Sequence, residues 1–383
     1  MLWTDMNLPD IPLWLYPLAF LAVLGPLVFV HEYGHYIVGR WCGVKADAFS
    51  IGFGRKVVGW TDKRGTEWKL GWLPLGGYVQ FAGDRDAVSQ PDAEWQQLPA
   101  SERSHTFPAQ SVWKRALIVV AGPVTNFLFA ILIFAAFAMV YGKSETPAVV
   151  GAVEPGRPAA AAGLVAGDRI VSIGGRQIER FDDIKMAIAF DLGKPAPVVV
   201  ERAGRRFAVT ITPEMISETD AFGNTSERAL LGVRSGAPTY TQVGPIAAVG
   251  HGVEQTAGIV RMTAAILRQF VMGERSIKDM GGPVKIAKTS GEAATMGIET
   301  LIIFAAFISI NLGFINLLPL PMLDGGHLLF YAYEAIRRRP APPQAQEWAF
   351  RFGFAAIVTL MLVVTFNDLG SIGAWDGIAR LIG

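Results

Sequence analysis

The sequence predicts a polytopic α-helical membrane protein. It has four transmembrane helices, an extracytoplasmic α+β domain inserted between them, and a β-hairpin that dips into the membrane. Three observations predict this. Hydrophobic residues make up 51% of the 383 and charged residues only 17%, against roughly 25% charged in soluble domains. The apolar surplus is concentrated in four uncharged stretches rather than spread along the chain. Between the second and third of them, short β-branched runs are separated by Gly and Pro, the pattern of a small sheet domain. A net charge of +1 gives no basic face for nucleic acid. The lone Cys42 excludes an intrachain disulfide and any multi-cysteine metal site.

Residues 11–30 carry no charge, and the apolar character resumes after a polar interruption up to Val38. At 1.5 Å per residue that is enough to cross a hydrocarbon layer of roughly 30 Å, so a first transmembrane helix is expected over 11–39. No Lys or Arg precedes Arg40, so this stretch lacks the basic start of a cleavable signal peptide. Residues 40–115 are basic near both membrane ends (Arg40, Lys45, Lys114, Arg115) and read as a cytoplasmic loop. Within it, residues 65–81 are apolar, Gly-rich and too broken for a span. They are expected to form a hairpin or loop entering the bilayer, which is tolerable only where it is buried in protein or lines a cavity. Its open edge could pair with an extended peptide.

Residues 116–142 form the second expected span. The α+β domain covers 145–213, with strands at Val149-Val150, Ile170–Ile173, Val198–Val200 and Val209–Ile211, and a helix over Phe181–Phe190. Residues 214–299 are expected to be an extracytoplasmic linker, with loop over 214–240 and an amphipathic helix over 243–272. Ile259, Met262, Ile266 and Phe270 recur there at helical spacing, while Arg261 and Arg268 make it a poor span, suited to a membrane surface. The third span covers 300–323 and the cytoplasmic turn 324–351 holds Arg337, Arg338 and Arg339. The fourth, 352–368, is short and needs Trp348, Phe350 and a snorkelling Arg351 to complete it. This charge pattern places both termini and the α+β domain outside.

The chemistry stands at the end of the first span. His31-Glu32-Tyr33-Gly34-His35 is an H-E-x-x-H motif. Residues four apart share one helical face, so both imidazoles can ligate one metal ion, with the adjacent Glu in reach for acid/base work. Ionisable residues inside an apolar helix are costly to bury and point to function. A catalytic zinc needs a third ligand. His105 and His251 lie in polar or extracytoplasmic segments and read as surface residues. Asp324 and His327, at the end of the third stretch, are both candidates. Spans one and three run in the same direction, so Asp324 falls at the same inner depth as His31 and His35. Asn126, in the uncharged second span, reads as a hydrogen-bonding residue between helices.

Two resemblances extend this reading. The run Pro158–Ile173 (PAAAAGLVAGDRIVSI) resembles a PDZ domain of the bacterial protease type. Nearly the whole chain resembles the site-2 protease family of intramembrane zinc metalloproteases, in its bacterial RseP-like branch. The residues that carry it are HEYGH, Phe53-Gly-Arg, Pro74-Leu-Gly-Gly-Tyr78-Val, Ala121-Gly-Pro-Val-Thr-Asn126-Phe, Gly282-Pro-Val-Lys-Ile-Ala287 and Asn316-x-x-Pro-x-Pro-x-Leu-Asp324-Gly. The resemblance implies that His31, His35 and Asp324 hold Zn2+ and that Glu32 is the catalytic acid/base. It implies that Asn316, with Pro74, Gly76, Gly77 and Tyr78 of the expected hairpin, contacts substrate. Substrates would be single-span membrane proteins such as anti-sigma factors, cut in a bacterial inner membrane after an earlier extracytoplasmic cut. Proteins of this branch typically carry two tandem PDZ domains, and only one is found here. The oligomeric state stays open.

Overall fold

The computed structural model describes residues 11–84, 95, 97–191, 193–219, 225–274 and 280–371. Helix α1 (Leu15–Trp41) leads into a long antiparallel hairpin of β1 (Ala46–Thr61) and β2 (Glu67–Phe81). One turn of helix at Ala100–Arg103 precedes α2 (Val112–Tyr141). The sheet region follows, from β3 (Lys143–Glu145) through β4 (Val150–Val153), β5 (Arg169–Ile173), β6 (Arg176–Gln177), α3 (Phe181–Asp191), β7 (Ala196–Arg202) and β8 (Arg205–Ile211). It continues with β9 (Glu214–Thr219), β10 (Thr225–Leu230), β11 (Val233–Ser235), β12 (Thr239–Thr241) and α4 (Pro245–Val271). The chain ends in α5 (Pro283–Thr295), α6 (Ile298–Asn316), α7 (Asp324–Arg337) and α8 (Pro343–Ser371). Among the described residues, α1, α2, α6 and α8 are the four helices long and apolar enough to cross a membrane. The described residues divide into two compact units, one of residues 11–133 with 281–371 and one of residues 134–280.

In the helical unit, aromatic rings anchor the base of the hairpin. Phe49 is 1% exposed, stacks on Trp68 at 4.4 Å between ring centroids and receives the edge of Tyr36 at 5.9 Å. Phe81 stacks on Phe107 at 5.6 Å. Burying rings of this size stabilises by about 1.5–3 kcal/mol each, which holds the hairpin base to α1. Farther out the strands present Val57, Val58, Trp60, Leu70 and Trp72 uncovered. Pairing runs from Ala46↔Phe81 to Thr61↔Glu67 and shifts register repeatedly between Ala46 and Val58. Gly52 and Gly54 sit at φ +84° and +85°, a region open to glycine at little steric cost, and the ladder shifts register on both sides of the intervening Phe53, which pairs with Leu73.

Several expected boundaries differ. Residues 65–81 are not a hairpin on their own: Glu67–Phe81 is one strand, paired with Ala46–Thr61. Residues 214–240 are not loop, since β9 pairs with β10, β11 with β4 and β12 with β3. The third helix stops at Asn316 instead of running to 323, because Pro319 and Pro321 cannot continue it. The expected turn 324–351 contains α7 and the start of α8, which begins nine residues before 352 and runs to Ser371. Residues 283–295, expected in the extracytoplasmic linker, form α5 of the helical unit, packed along α1 with Gly291 against Tyr16.

The second unit is built on the antiparallel sheet β6-β5-β7-β8. Ile170, Val198 and Val200 are fully buried and share a core with Ile184 and Ile188 of α3. Asp168, buried at the entry to β5, accepts hydrogen bonds from Arg202 Nε (2.6 Å) and from the Val165 amide (2.9 Å). The Arg202 guanidinium holds this carboxyl below its ordinary value of 3.8. On α4, Ala248, Gly252 and Thr256 are buried at four-residue spacing, and Ala248 joins Ala135 and Ala138 of α2.

Candidate metal centre

His31 and His35 are one turn apart on α1, so both rings leave the same face. The third group arrives from far along the chain. After α6 ends, Leu317–Leu323 turn the chain, with Met322 strained at φ +80°, and α7 begins at Asp324. A carboxylate in the first helical turn is favoured by the free amides and the dipole there. Gly325 and Gly326 let α7 fold back on the turn: a Cβ on either would strike the carbonyls of Leu317, Leu318 or Leu320.

These elements bring three ligating atoms together. His31 Nε2 and His35 Nε2 are 3.2 Å apart. Asp324 places Oδ2 3.2 Å from His31 Nε2 and Oδ1 3.6 Å from His35 Nε2. Ligand atoms of the three residues lie within 4.8 Å of one another, and among the described residues they are the group that can hold a metal ion. His327 stays outside it, its ring 5.0 Å from that of Phe350. Asp324 Oδ2 is buried and accepts no hydrogen bond. Lone pairs converging at this distance repel unless a cation lies between them. A His-His-Asp set of nitrogen and oxygen donors suits zinc, so the residues fit that ion.

The ligands are held from α2. The Ile118 carbonyl lies 2.9 Å from His35 Nδ1, and the Asn126 carboxamide 3.1 Å from His31 Nδ1. Gly122 lies directly against the His35 ring. Thr125 Oγ1 donates to the Val30 carbonyl at 3.1 Å, tying α2 to α1.

The three ligands and Glu32 open into one cavity of about 730 Å³. Of the residues expected to touch substrate, Gly76, Gly77, Tyr78 and Asn316 line it, and Pro74 does not. Asn316 Nδ2 is 3.5 Å from His31 Nε2. Gly77 packs on Glu32, where a Cβ would lie 2.8 Å from Cγ. Phe53, between Gly52 and Gly54, stacks on Tyr78 at 6.1 Å and also lines the cavity. Sequence reasoning missed three contributors: Phe53 as a cavity wall, Gly122 and the Asn126–His31 contact. The last two share a signal, since Gly122 and Asn126 are four apart and fall on one helical face.

Residues 19–360 match the sequence model of peptidase family M50. The chain belongs to this family, the site-2 proteases. This site-2 protease family member is 44% identical over 362 residues to a protein of Agrobacterium fabrum named as a zinc metalloprotease, covering 93% of this chain and 96% of that one. A protein of Rhizobium meliloti with the same kind of name is 43% identical, covering 92% and 95%. The metalloprotease MmpA of Caulobacter vibrioides is 37% identical over 376 residues, covering 92% and 94%. The chain is a zinc metalloendopeptidase of the site-2 protease type, and its four apolar helices associate it with a membrane.

Proposed function

We propose that this site-2 protease family member hydrolyses peptide bonds in or near the transmembrane segment of single-span membrane proteins, anti-sigma-factor-like proteins among them. The setting is regulated intramembrane proteolysis in a bacterial inner membrane, after a first extracytoplasmic cut. His31, His35 and Asp324 hold zinc, Glu32 is the catalytic residue, and the centre lies within the membrane near its cytoplasmic face. The observation that carries this reading is the joint opening of Glu32 and the three ligands into a cavity walled by β2.

Zinc, when bound, activates water near neutral pH and polarises the scissile carbonyl. Glu32 takes the proton on a carboxylate oxygen and passes it to the leaving amine. A substrate helix must unwind before a peptide bond is exposed. Among the described residues the hairpin sheet has two strands, so β2 has an edge free to pair with an unwound strand. Gly77 places backbone, with no side chain between, beside Glu32, and Gly76 lines the same cavity. Asn316 is positioned to hydrogen-bond the substrate backbone.

We assign the unit at 145–213 as a PDZ domain, lying with both termini on the periplasmic side, where it would admit substrates already trimmed outside. Its Ala-Gly-Leu and Ala-Gly-Asp runs beside β5 support that assignment.

The test is Glu32→Gln in the full chain, assayed on a single-span substrate with zinc content measured in parallel. Cleavage disappears while zinc stays bound. Cleavage that survives the substitution would overturn the role given to Glu32.

A further inference from the structure

The two histidine ligands are oriented by different partners, and the difference exposes a residue with a job. A neutral imidazole carries one N–H, and only the bare nitrogen can bind a metal. His35 Nδ1 faces the Ile118 carbonyl at 2.9 Å. That oxygen can only accept, so Nδ1 keeps the proton and Nε2 is bare. His31 Nδ1 faces the Asn126 carboxamide at 3.1 Å, and this group can either donate or accept.

Two observations choose between them. Asn126 is fully buried, and its Oδ1 has no hydrogen-bond partner while Nδ2 faces the ring. An amide N–H aimed at Nδ1 would also force the His31 proton onto Nε2, the atom that converges on His35 and Asp324. Turning the carboxamide so that Oδ1 faces the ring removes both conflicts at once. The backbone that carries Asn126 is pinned from the opposite side. Ser309 Oγ on α6 donates to the Asn126 carbonyl at 2.9 Å, and Gly313 brings α6 into contact with the Asn126 Cβ.

We infer that Asn126 is a positioning residue: its Oδ1 accepts the His31 Nδ1–H and holds His31 as the tautomer that offers Nε2 to zinc. The inference rests on the His31–His35–Asp324 reading of the metal centre. It extends Asn126 from a helix-to-helix hydrogen bond to control of a ligand, and it links α1, α2 and α6 through one residue, by its side chain to His31 and its backbone carbonyl to Ser309. Losing such a partner of a ligand histidine lowers metal affinity by about ten- to a hundredfold.

The experiment measures Zn2+ affinity of the detergent-solubilised full chain by competition with a chromogenic chelator. Asn126→Leu, close in volume and without an acceptor, loses affinity by about ten- to a hundredfold. Asn126→Asp, which accepts and does not donate, keeps wild-type affinity. Equal affinity of N126L and wild type overturns the inference. So does a folded N126D that loses zinc as N126L does, because a donor role predicts that loss. Should N126L not fold, N126D against wild type decides alone. A wild-type chain that takes up no zinc overturns the metal centre itself, and this inference with it.

Discussion

Gly122 of α2 lies so close to His35 of α1 that a Cβ at position 122 would overlap the imidazole at Nε2, the nitrogen directed at His31 and Asp324. Helix packing and ligand geometry are therefore one constraint. Residue 122 has to be glycine for His35 to stay in place.

Gly122→Ala accordingly pushes the His35 ring away from the other two ligands. Overpacking of a tight site costs about 1–3 kcal/mol, and here the loss falls on the metal centre. Zinc affinity and proteolysis both drop, while the α2 helix persists by circular dichroism. Zinc content equal to wild type would show that α2 can retreat from α1.

Gly77 makes a different contact and predicts a different phenotype. A Cβ there would lie 2.8 Å from Glu32 Cγ, 2.8 Å from Val28 Cγ1 and 2.7 Å from the Ser50 carbonyl. None of these atoms belongs to a ligand. Gly77→Ala shifts Glu32 or the strand and cuts turnover about tenfold or more, the scale of a misplaced catalytic group, with zinc still bound. The split between activity and zinc content is the measurement, and parallel loss of both would place Gly77 with the ligands.

Asp168 carries the acid sensitivity of the α+β unit. Arg202 lowers its pKa in the folded chain from an ordinary 3.8. The folded state therefore binds fewer protons than the unfolded one in that window. The stabilisation is complete above the unfolded value, about 4, and is lost as pH falls through the lower folded value. Hydrogen-exchange protection of β5 and β7 should fall in that acid window in the wild type. Asp168→Asn lowers protection already at neutral pH and removes the acid step. An unchanged acid step in the variant would assign it to another carboxylate.

The sequence reveals the parts of this fold that repeat locally. Uncharged runs mark α1, α2, α6 and α8, and the four-residue spacing of His31 and His35 marks their shared face. Asp324 stands out as the first charge after residues 300–323. What stays hidden depends on partners distant in the chain. Strand β1 does not alternate cleanly, because Gly52, Gly54, Arg55 and Lys56 interrupt it, and its pairing with β2 creates order that neither shows alone. Asn126 meets His31 across 95 residues. The end of α6 had a visible cause in Pro319 and Pro321, yet the apolar run through them hid the break.

Helix α5 has a cap that no local pattern could reveal, and it yields a fourth prediction. Its N-cap, Gly282, has no side chain to satisfy the free amides of the first turn. Asp368 of α8 supplies the acceptor instead, 86 residues away: its carboxylate takes the Gly282 amide at 3.0 Å and the Lys285 amide at 3.0 Å. Asp368 is 2% exposed, so these bonds are shielded from water, and the carboxylate also favours the positive end of the helix dipole. Loss of a cap costs about 0.5–2 kcal/mol, and a charged acceptor lies toward the upper end of that range. Asp368→Ala should therefore loosen α5 by about 1–2 kcal/mol, read as faster hydrogen exchange confined to the first turns of Pro283–Thr295. Asp368→Asn keeps one acceptor oxygen and loses less. Because α5 packs along α1 on the Tyr16 side, far in sequence from His31 and His35, zinc content stays at the wild-type level in both variants. Unchanged exchange at α5 in the alanine variant would mean that water caps the helix as well as Asp368 does.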